Sequence, residues 1–503
     1  MSVGFRAYRL AYLLQSAEHA GLLDDDARQL IWSSLEQHAA YLADDKNIAF
    51  HNNHGYYQIA GQMAMGRRFA DKSQAMADAV EQGSARLERM LEQQFASDGI
   101  HREHSPDYHR MVYETLKALI DADLVRDKKI VEFALRIEEA LSWFVLPNQR
   151  IVNFGDSDDR SLVRKPKEAE GKWKTPEMRF WVSGGKVGEA SSQICRAFKE
   201  GGYWVARKPS GDAHDLGSYS YLVLNAAFHS RTHKHADDLS FIWSDRGANI
   251  LVDAGRYGYI GKAEQGSPLW LDGYWYSDPR RVYVESTRAH NTLEFDGLNF
   301  HRKGAVPYGS ALRRWGSDDS GMMFVEAECK HFKSIRRVRM LFFMPGQWLI
   351  VFDWFHDNDK LPHSVRQWFH VGHELELLMD HGQFLVSVPG ADRMLRVASL
   401  LSPPVASRTY IGEEEPEMQG WWSPKERDIV PNYAFNYELN GVSTGVFATL
   451  FCFSDTLISD QKWSKVNVSG RKGQLRWCSD GITHDLHFER PENGELIVSY
   501  KTK

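Results

Sequence analysis

The sequence predicts an α+β protein in which a helical N-terminal region is followed by a large antiparallel β-sandwich. Residues 1–146 contain one proline, Pro106, and only seven of the 39 glycines. They are rich in the strong helix formers Leu, Ala, Glu, Gln and Arg. From about residue 200 onward, short apolar runs bounded by turn-forming residues replace that pattern. A length of 503 residues is typical of two to four domains.

Six helices are expected in the N-terminal region, because apolar residues recur at the spacing of one helix face, as at Leu10, Leu13 and Leu14. Asp24 is a candidate N-cap, and Ser105 with Pro106 is a second helix start. The short loops between these segments predict antiparallel helical hairpins. The predicted helices cover residues 5–20, 25–44, 55–70, 73–96, 106–122 and 127–145.

The C-terminal region is predicted to contain many short strands, separated by turn pairs such as Asp296-Gly297 and Pro389-Gly390. About 300 residues of such strands predict a sandwich. The predicted strands include 218–225, 239–243, 249–253, 291–295, 322–328, 348–354, 384–388 and 446–453. The predicted domains are a helical domain over 1–150, a connecting segment over 151–200 and the sandwich over 201–503.

Composition and charge exclude several classes of protein. The net charge of −6 disfavours a general nucleic-acid binder. The four cysteines are far apart and form no CxxC pair, which argues against a disulfide scaffold and a cysteine zinc site. The longest apolar stretch, 340–355, is too interrupted to span a membrane.

The apolar run after Arg9 is too short for a signal peptide. The sequence as printed therefore predicts a cytoplasmic location. If the native N-terminus lies upstream, a periplasmic or secreted location is expected instead.

Two polar segments of the helical region supply candidate site residues. Asn53 and His54 are neutral donors that could bind an anionic group, although Asn53 could instead cap the third helix. The segment 98–109 joins a loop to a helix start, and loops often carry function. Tyr108, taken alone, is more often a packing residue. Three further residues of this segment are candidates for substrate binding: Arg102, Glu103 and His104.

A third group of polar residues suggests a metal site in the sandwich. Residues two apart on a strand share a face, so His233 and His235 are expected to point into one site. Asp253 follows on the next predicted strand, and a hairpin would return it to His235. His290 begins a later strand. Nitrogen and carboxylate oxygen donors suit zinc, and the alternative is a polar strand end with ordinary hydrogen bonds.

Two further segments carry weaker signals. Residues 153–160 are acidic and rich in turn formers, and a structural role is favoured over a cation site or a substrate contact. Tyr257 and Trp275 lie in aromatic, glycine-rich stretches and are candidates for contact with a sugar ring, with core packing as the alternative.

Taken together, five motifs resemble the heparinase II/III-like polysaccharide lyases in their order and spacing. They are NNH at 52–54, SPDY at 105–108, HKHADDLSF at 233–241, ILVDAGRYGY at 250–259 and STRAHNTLEFDG at 286–297. The resemblance implies a partial α/α toroid followed by an antiparallel β-sandwich. It also implies β-elimination at a uronic acid of an acidic polysaccharide or oligosaccharide, and it is compatible with a homodimer.

The resemblance assigns a role to each motif. It implies that Asn53 and His54 bind the substrate carboxylate, that Tyr108 is the catalytic tyrosine and that His233 is the catalytic histidine. The chemistry agrees, since donors at the carboxylate stabilise the charge that develops when a base removes the C5 proton and an acid protonates the C4 oxygen. The resemblance further implies one divalent metal ion, usually zinc, held by His235, Asp253 and His290.

Three other functions remain open from the sequence. The run from His233 to Asp238 resembles the metallo-β-lactamase pattern, with Asp238 in place of its last histidine, and would indicate a metal-dependent hydrolase. A glycoside hydrolase would need a carboxylate pair, for which Glu103 and Asp107 are the nearest candidates. The third alternative is a non-catalytic glycan-binding protein.

Overall fold

The computed structural model describes four stretches of the chain, which are residues 2–229, 232–300, 309–401 and 406–503. The chain divides into two compact units. The first unit comprises residues 1–102 and 108–141, and the second comprises residues 103–107 and 142–503.

The first unit is helical, as predicted, and all six predicted helices are present with ends within three residues of the predicted ones. Its helices are α1 (Ser2–His19), α2 (Asp25–Ala43), α3 (His54–Phe69), α4 (Gln74–Gln94), α5 (Pro106–Asp121) and α6 (Lys128–Ser142). Asp24 caps α2 as expected, because its carboxylate accepts a hydrogen bond of 2.7 Å from the amide of Ala27. Helices α1 and α3 cross at two glycines. A methyl group on Gly61 would lie 2.0 Å from the carbonyl oxygen of Gly4, so this contact requires glycine.

The second unit consists mainly of antiparallel strands, as predicted, and each of the eight predicted strands overlaps an observed one. Its described residues also form four short α-helices, α7 (Pro166–Lys172), α8 (Pro176–Val182), α9 (Pro268–Leu271) and α10 (Pro279–Glu285). Its strands are β1 (Cys195–Phe198), β2 (Tyr203–Pro209), β3 (Tyr219–Asn225), β4 (Phe241–Asp245), β5 (Ala248–Leu251), β6 (Leu293–Phe295), β7 (Ser310–Ser317), β8 (Met323–Phe332), β9 (Ile335–Met344), β10 (Trp348–Asp357), β11 (His363–His370), β12 (Glu376–Asp380), β13 (Gln383–Ser387), β14 (Leu395–Ser399), β15 (Ala406–Ile411), β16 (Trp421–Lys425), β17 (Asp428–Pro431), β18 (Tyr433–Val442), β19 (Thr444–Phe453), β20 (Lys465–Val466), β21 (Lys472–Ser479), β22 (Ile482–Glu489) and β23 (Ile497–Thr502).

An eight-stranded sheet of order β12-β13-β14-β19-β10-β9-β8-β7 lies at the centre of the second unit. One of its faces shares a hydrophobic core with the five-stranded sheet β1–β5 and with the sheet β15-β18-β11-β6. The other face packs against the C-terminal sheet β20–β23. Strand β10 shows both contacts, because Leu349 and Val351 belong to the first core whereas Ile350 and Phe352 belong to the second.

Among the described residues, none of the helices combines the length and the apolar character needed to cross a lipid bilayer.

Candidate active site and metal centre

The segment that carries Asn53 and His54 is fixed by helix α4. The side-chain amide of Gln94 donates hydrogen bonds to the carbonyls of Phe50, at 2.8 Å, and Asn52, at 3.2 Å. Asn53 does not cap α3, and this alternative is wrong. Its backbone is already helical and its side chain makes no cap hydrogen bond, while Asn52 Oδ1 accepts from the His54 amide at 2.9 Å. Asn53 is half-buried and His54 is exposed at the start of the helix.

Helix α5 carries Tyr108 in its first turn, where the side chain is half-buried. The next residue anchors this turn. His109 Nε2 lies 3.0 Å from the carbonyl of Ile137, and burial lowers the pKa of His109 to about 4. Arg102 holds the end of α4, because its guanidinium donates to the carbonyl of Gln93 at 3.2 Å. The contacts that the Arg102 guanidinium makes within the first unit are therefore with backbone carbonyls.

In the second unit, a buried carboxylate, Asp156, joins several predicted residues. Its Oδ2 lies 2.8 Å from Nδ1 of His233 and accepts a hydrogen bond of 3.0 Å from the hydroxyl of Tyr259. Its Oδ1 lies 3.0 Å from Nε2 of His235 and accepts a hydrogen bond of 2.5 Å from Arg281. The two carboxylate oxygens thus fix both histidines of the HKH motif.

The charge of Asp156 is stabilised within this cluster. Burial alone would raise the pKa of Asp156, but the Arg281 guanidinium and the hydrogen bonds to His233 and His235 hold it well below its usual range. Arg281 is itself buried, and its guanidinium lies 5.2 Å from the ring centroid of Tyr259 and 5.7 Å from that of Tyr276. The cluster therefore consists of an ionised carboxylate with charged and neutral donors around it.

Gly155 explains how three separate segments reach this cluster. Its φ is +56°, and a Cβ there would lie 2.4 Å from the carbonyl oxygen of His233 and 2.8 Å from that of His104. The hydroxyl of Ser105 also donates to the carbonyl of Asp156 at 3.1 Å. Only glycine allows this close approach of the backbone. The segments 103–107, 153–157 and 233–235 consequently converge.

Glu103 is the second carboxylate of this region, and it is 4% exposed. Its Oε2 lies 3.5 Å from Nε2 of His233, and within the described ranges neither of its oxygens has a hydrogen-bond partner. Burial raises the pKa of Glu103 to about 7; His233 opposes this shift and Asp156 adds to it. The adjacent His104 accepts a hydrogen bond of 3.0 Å at Nε2 from the backbone amide of His229.

The expectation that His233 and His235 lie on a strand is wrong. The segment between β3 and β4 is a loop, and His233 has a φ of +56°. The amide of Ala236 donates to the carbonyl of Glu285, which is the last residue of α10 and not part of a strand. Inside the loop, the buried ammonium of Lys234 pairs with Asp237 and Asp238. The two histidines converge because both bind Asp156, rather than because they share a strand face.

Three predicted metal ligands do come together. One potential ligand atom of each of His235, Asp253 and His290 lies within 4.8 Å of those of the other two, and all three residues are fully buried. In the part of the chain that the structure describes, His235 Nδ1, Asp253 Oδ1 and His290 Nε2 are buried without a hydrogen-bond partner. Burial also lowers the pKa of His235, which favours the neutral imidazole that metal ligation needs. The donor set fits a divalent ion such as zinc.

Family models match most of the chain. Residues 3–173 match the heparinase II/III N-terminus, and residues 192–428 match the heparinase II/III-like C-terminal region. The chain belongs to the heparinase II/III-like family. No curated protein sequence matches this chain.

Solved structures share the fold of this heparinase II/III-like protein. A mutant heparan sulfate lyase from Pedobacter heparinus is 17% identical with a TM-score of 0.74, and the match covers 97% of this chain and 75% of that one. A structure of heparinase III is 16% identical with a TM-score of 0.76, and the match covers 97% of this chain and 75% of that one. The fold is therefore that of heparinase III, with a helical toroid followed by a β-sandwich.

Sequence reasoning about this heparinase II/III-like chain missed Asp156, Tyr259 and Arg281. The acidic run at 153–160 was a usable signal, but a structural turn explains such a run equally well. Tyr257 is buried in a small apolar cluster with Tyr283, and Trp275 is 47% exposed. The hydrogen bond to Asp156 comes instead from Tyr259, two residues after Tyr257.

Proposed function

We propose that this chain is a polysaccharide lyase that cleaves a uronic-acid-containing glycan by β-elimination. Membership of the heparinase II/III-like family is the observation that carries the proposal. The similar solved structures are described as a heparan sulfate lyase and as heparinase III, which favours an acidic polysaccharide of the glycosaminoglycan class as the substrate.

The first task of such an enzyme is to make the C5 proton acidic. Its removal places a second negative charge on the uronate, so donors at the carboxylate lower the barrier. The amide of Asn53 and the imidazole of His54 perform this task in our proposal. Partial desolvation of the otherwise exposed ring lowers the pKa of His54, so the ring is a neutral N–H donor near pH 7.

The second task is proton transfer. The phenolate of Tyr108 takes the C5 proton, and the phenol that results gives its proton to the oxygen that leaves C4. His233 is the partner base for the opposite epimer. The Nδ1–H of His233 donates to Asp156, which leaves the basic lone pair of the ring on Nε2. Asp156 is therefore a positioning residue for His233.

The metal centre has a supporting role in this proposal. His235, Asp253 and His290 would hold one divalent ion, with zinc favoured by the nitrogen and oxygen donors. Such an ion would supply a fixed positive charge that orders the loop from His233 to Asp238. Asp156 supports the site by binding the second nitrogen of His235.

The test is the ultraviolet absorbance of a C4–C5 unsaturated uronate during incubation with a panel of glycans. The panel contains heparan sulfate, chondroitin, hyaluronan, alginate, their oligosaccharides and bacterial exopolysaccharides. We expect absorbance to rise with at least one of them, and not in the Tyr108→Phe variant. Cleavage that yields only saturated products would instead establish a hydrolase and overturn the proposal.

A further inference from the structure

We propose that a basic groove between the eight-stranded sheet and the C-terminal sheet is a second binding site, which holds an anionic polysaccharide chain. The choice of a polysaccharide rests on the proposed function. The groove encloses about 710 Å³, a size typical of ligand sites. Its walls come from β7 to β10 and from the turns that precede β21 and follow β22. Among the described residues, six cationic side chains line it: Arg313, Arg314, Lys330, Arg336, Arg471 and Arg490.

The charge of the groove is opposite to that of the whole chain. Three carboxylates, Glu326, Glu328 and Glu492, face the six cations, which leaves a surplus of three positive charges. The chain as a whole carries a net charge of −6. A concave surface with such a local surplus attracts polyanions even when the net charge repels them.

Glu328 shows why the internal ion pairs do not neutralise the groove. This buried carboxylate contacts Arg313 at 3.0 Å and Lys330 at 3.6 Å, and it also binds Arg336. One carboxylate therefore serves three cations, whose side chains are 39% to 55% exposed. These cations retain donors that can bind a ligand.

The floor of the groove holds its guanidinium groups in place. The indole N–H of Trp354 donates to the carbonyl of Val468 at 3.1 Å, and the guanidinium carbons of Arg336 and Arg490 each lie 5.9 Å from the indole ring. The buried Arg490 also pairs with Glu326 at 2.9 Å. A guanidinium that is held in position loses little entropy when it binds a carboxylate or sulfate through two hydrogen bonds.

A polymer with repeated anionic groups fits this groove better than a small anion does. One stretch of a long chain can occupy the groove while another stretch is cleaved at the catalytic site. The contact in the groove then raises the effective concentration of the substrate at the catalytic site. A tetrasaccharide is expected to occupy only one of the two places at a time. The groove is therefore expected to affect the KM for polymers and to leave kcat/KM for a tetrasaccharide unchanged.

The test compares two double variants in a Tyr108→Phe background, which prevents turnover. The groove variant combines Arg336→Gln with Arg471→Gln. It removes two exposed cations of the groove, each of which pairs with a carboxylate. The matched control, Arg393→Gln with Arg408→Gln, removes two exposed, ion-paired cations elsewhere on the second unit. The dissociation constant of a heparin decasaccharide is measured at physiological ionic strength. We expect it to rise about fivefold in the groove variant and to stay within about twofold in the control.

The outcomes separate this proposal from the proposed function. Equal binding by both variants would overturn the groove site, whether or not elimination is observed. If the groove variant lost as much affinity for a DNA oligonucleotide of the same charge as for the decasaccharide, this would also overturn the proposal. The groove would then be a general polyanion surface. A selective loss of decasaccharide binding supports the groove even if no glycan is cleaved. Thermal melting of both variants checks that they are folded.

Discussion

The hydroxyl of Tyr108 transfers the proton in the proposed mechanism, so Tyr108→Phe is expected to lower kcat by at least about 10²-fold. Substrate binding should change little, because the ring and helix α5 remain. The measurement is initial rate by ultraviolet absorbance together with the dissociation constant of an oligosaccharide. Tyr113→Phe is the control on the same helix, since its hydroxyl binds the buried Glu138. It should lower stability and retain activity. Full activity of Tyr108→Phe would refute the assignment.

Glu103 makes stability depend on pH. Its pKa in the folded protein is about 7, above its usual value of 4.5, so the folded state keeps the proton longer than the unfolded chain does. The contribution of Glu103 to the free energy of unfolding is fully present below about pH 4.5. It falls by about 1.4 kcal/mol per pH unit as the pH rises toward 7. Glu103→Gln removes this pH-dependent loss of stability, because the glutamine side chain does not titrate. We expect it to stabilise the protein by the order of 3 kcal/mol at pH 8 and to change little at pH 5.

Chemical unfolding at the two pH values measures this effect. Asp107→Asn is the control in the same segment, because its carboxylate is already paired with Arg160 at 3.1 Å. That variant should show no gain at pH 8. If Glu103→Gln gave the same stability difference at both pH values, the titration assigned to Glu103 would be wrong.

At the scale of elements, the turn at 153–160 matters because Asp156 connects it to the loop at 233–240. Breaking a buried, charged hydrogen-bond network leaves its partners uncompensated, which costs about 3–5 kcal/mol. We therefore expect Asp156→Asn to reduce the free energy of unfolding by that amount. Asp158→Asn is the control two residues away, where the partly exposed carboxylate pairs with Arg256 at 2.7 Å. Its expected cost is about 1 kcal/mol. Equal costs would contradict the central role of Asp156.

Elements with regular periodicity were predictable from the sequence, and the irregular loop was not. The six helices of the first unit follow from apolar spacing and from caps such as Asp24, which are local properties. The structure of the loop at 233–240 depends on ion pairs of Lys234 and on Asp156, which lies 77 residues before His233 in the sequence. No local pattern contains such a partner. The grouping of His235, Asp253 and His290 was predictable because these residue types together have a recognisable chemistry, and the three side chains do lie close together.

At the scale of the molecule, the sandwich was predictable but its third layer was not. The run Trp348–Trp354 is almost continuously apolar, and this pattern indicates a strand that is buried on both faces. Its alternate residues do lie in two different cores. The sequence does not reveal which sheet covers the second face, because β20–β23 come more than 100 residues after β10. The same junction of sheets creates the basic groove.

Removal of a bound metal ion tests how much the proposed metal centre contributes to the stability of the whole molecule. His235, Asp253 and His290 come from three segments, so an ion that binds only the folded state would raise its stability by about 3–4 kcal/mol at high occupancy. We expect a strong chelator to lower the melting temperature by about 5 °C. His235→Ala should lower the melting temperature and the metal content together and should no longer respond to the chelator. His363→Ala, which removes a histidine paired with Asp296 and Asp357, should remain sensitive to the chelator. Unchanged metal content in His235→Ala would refute the ligand set.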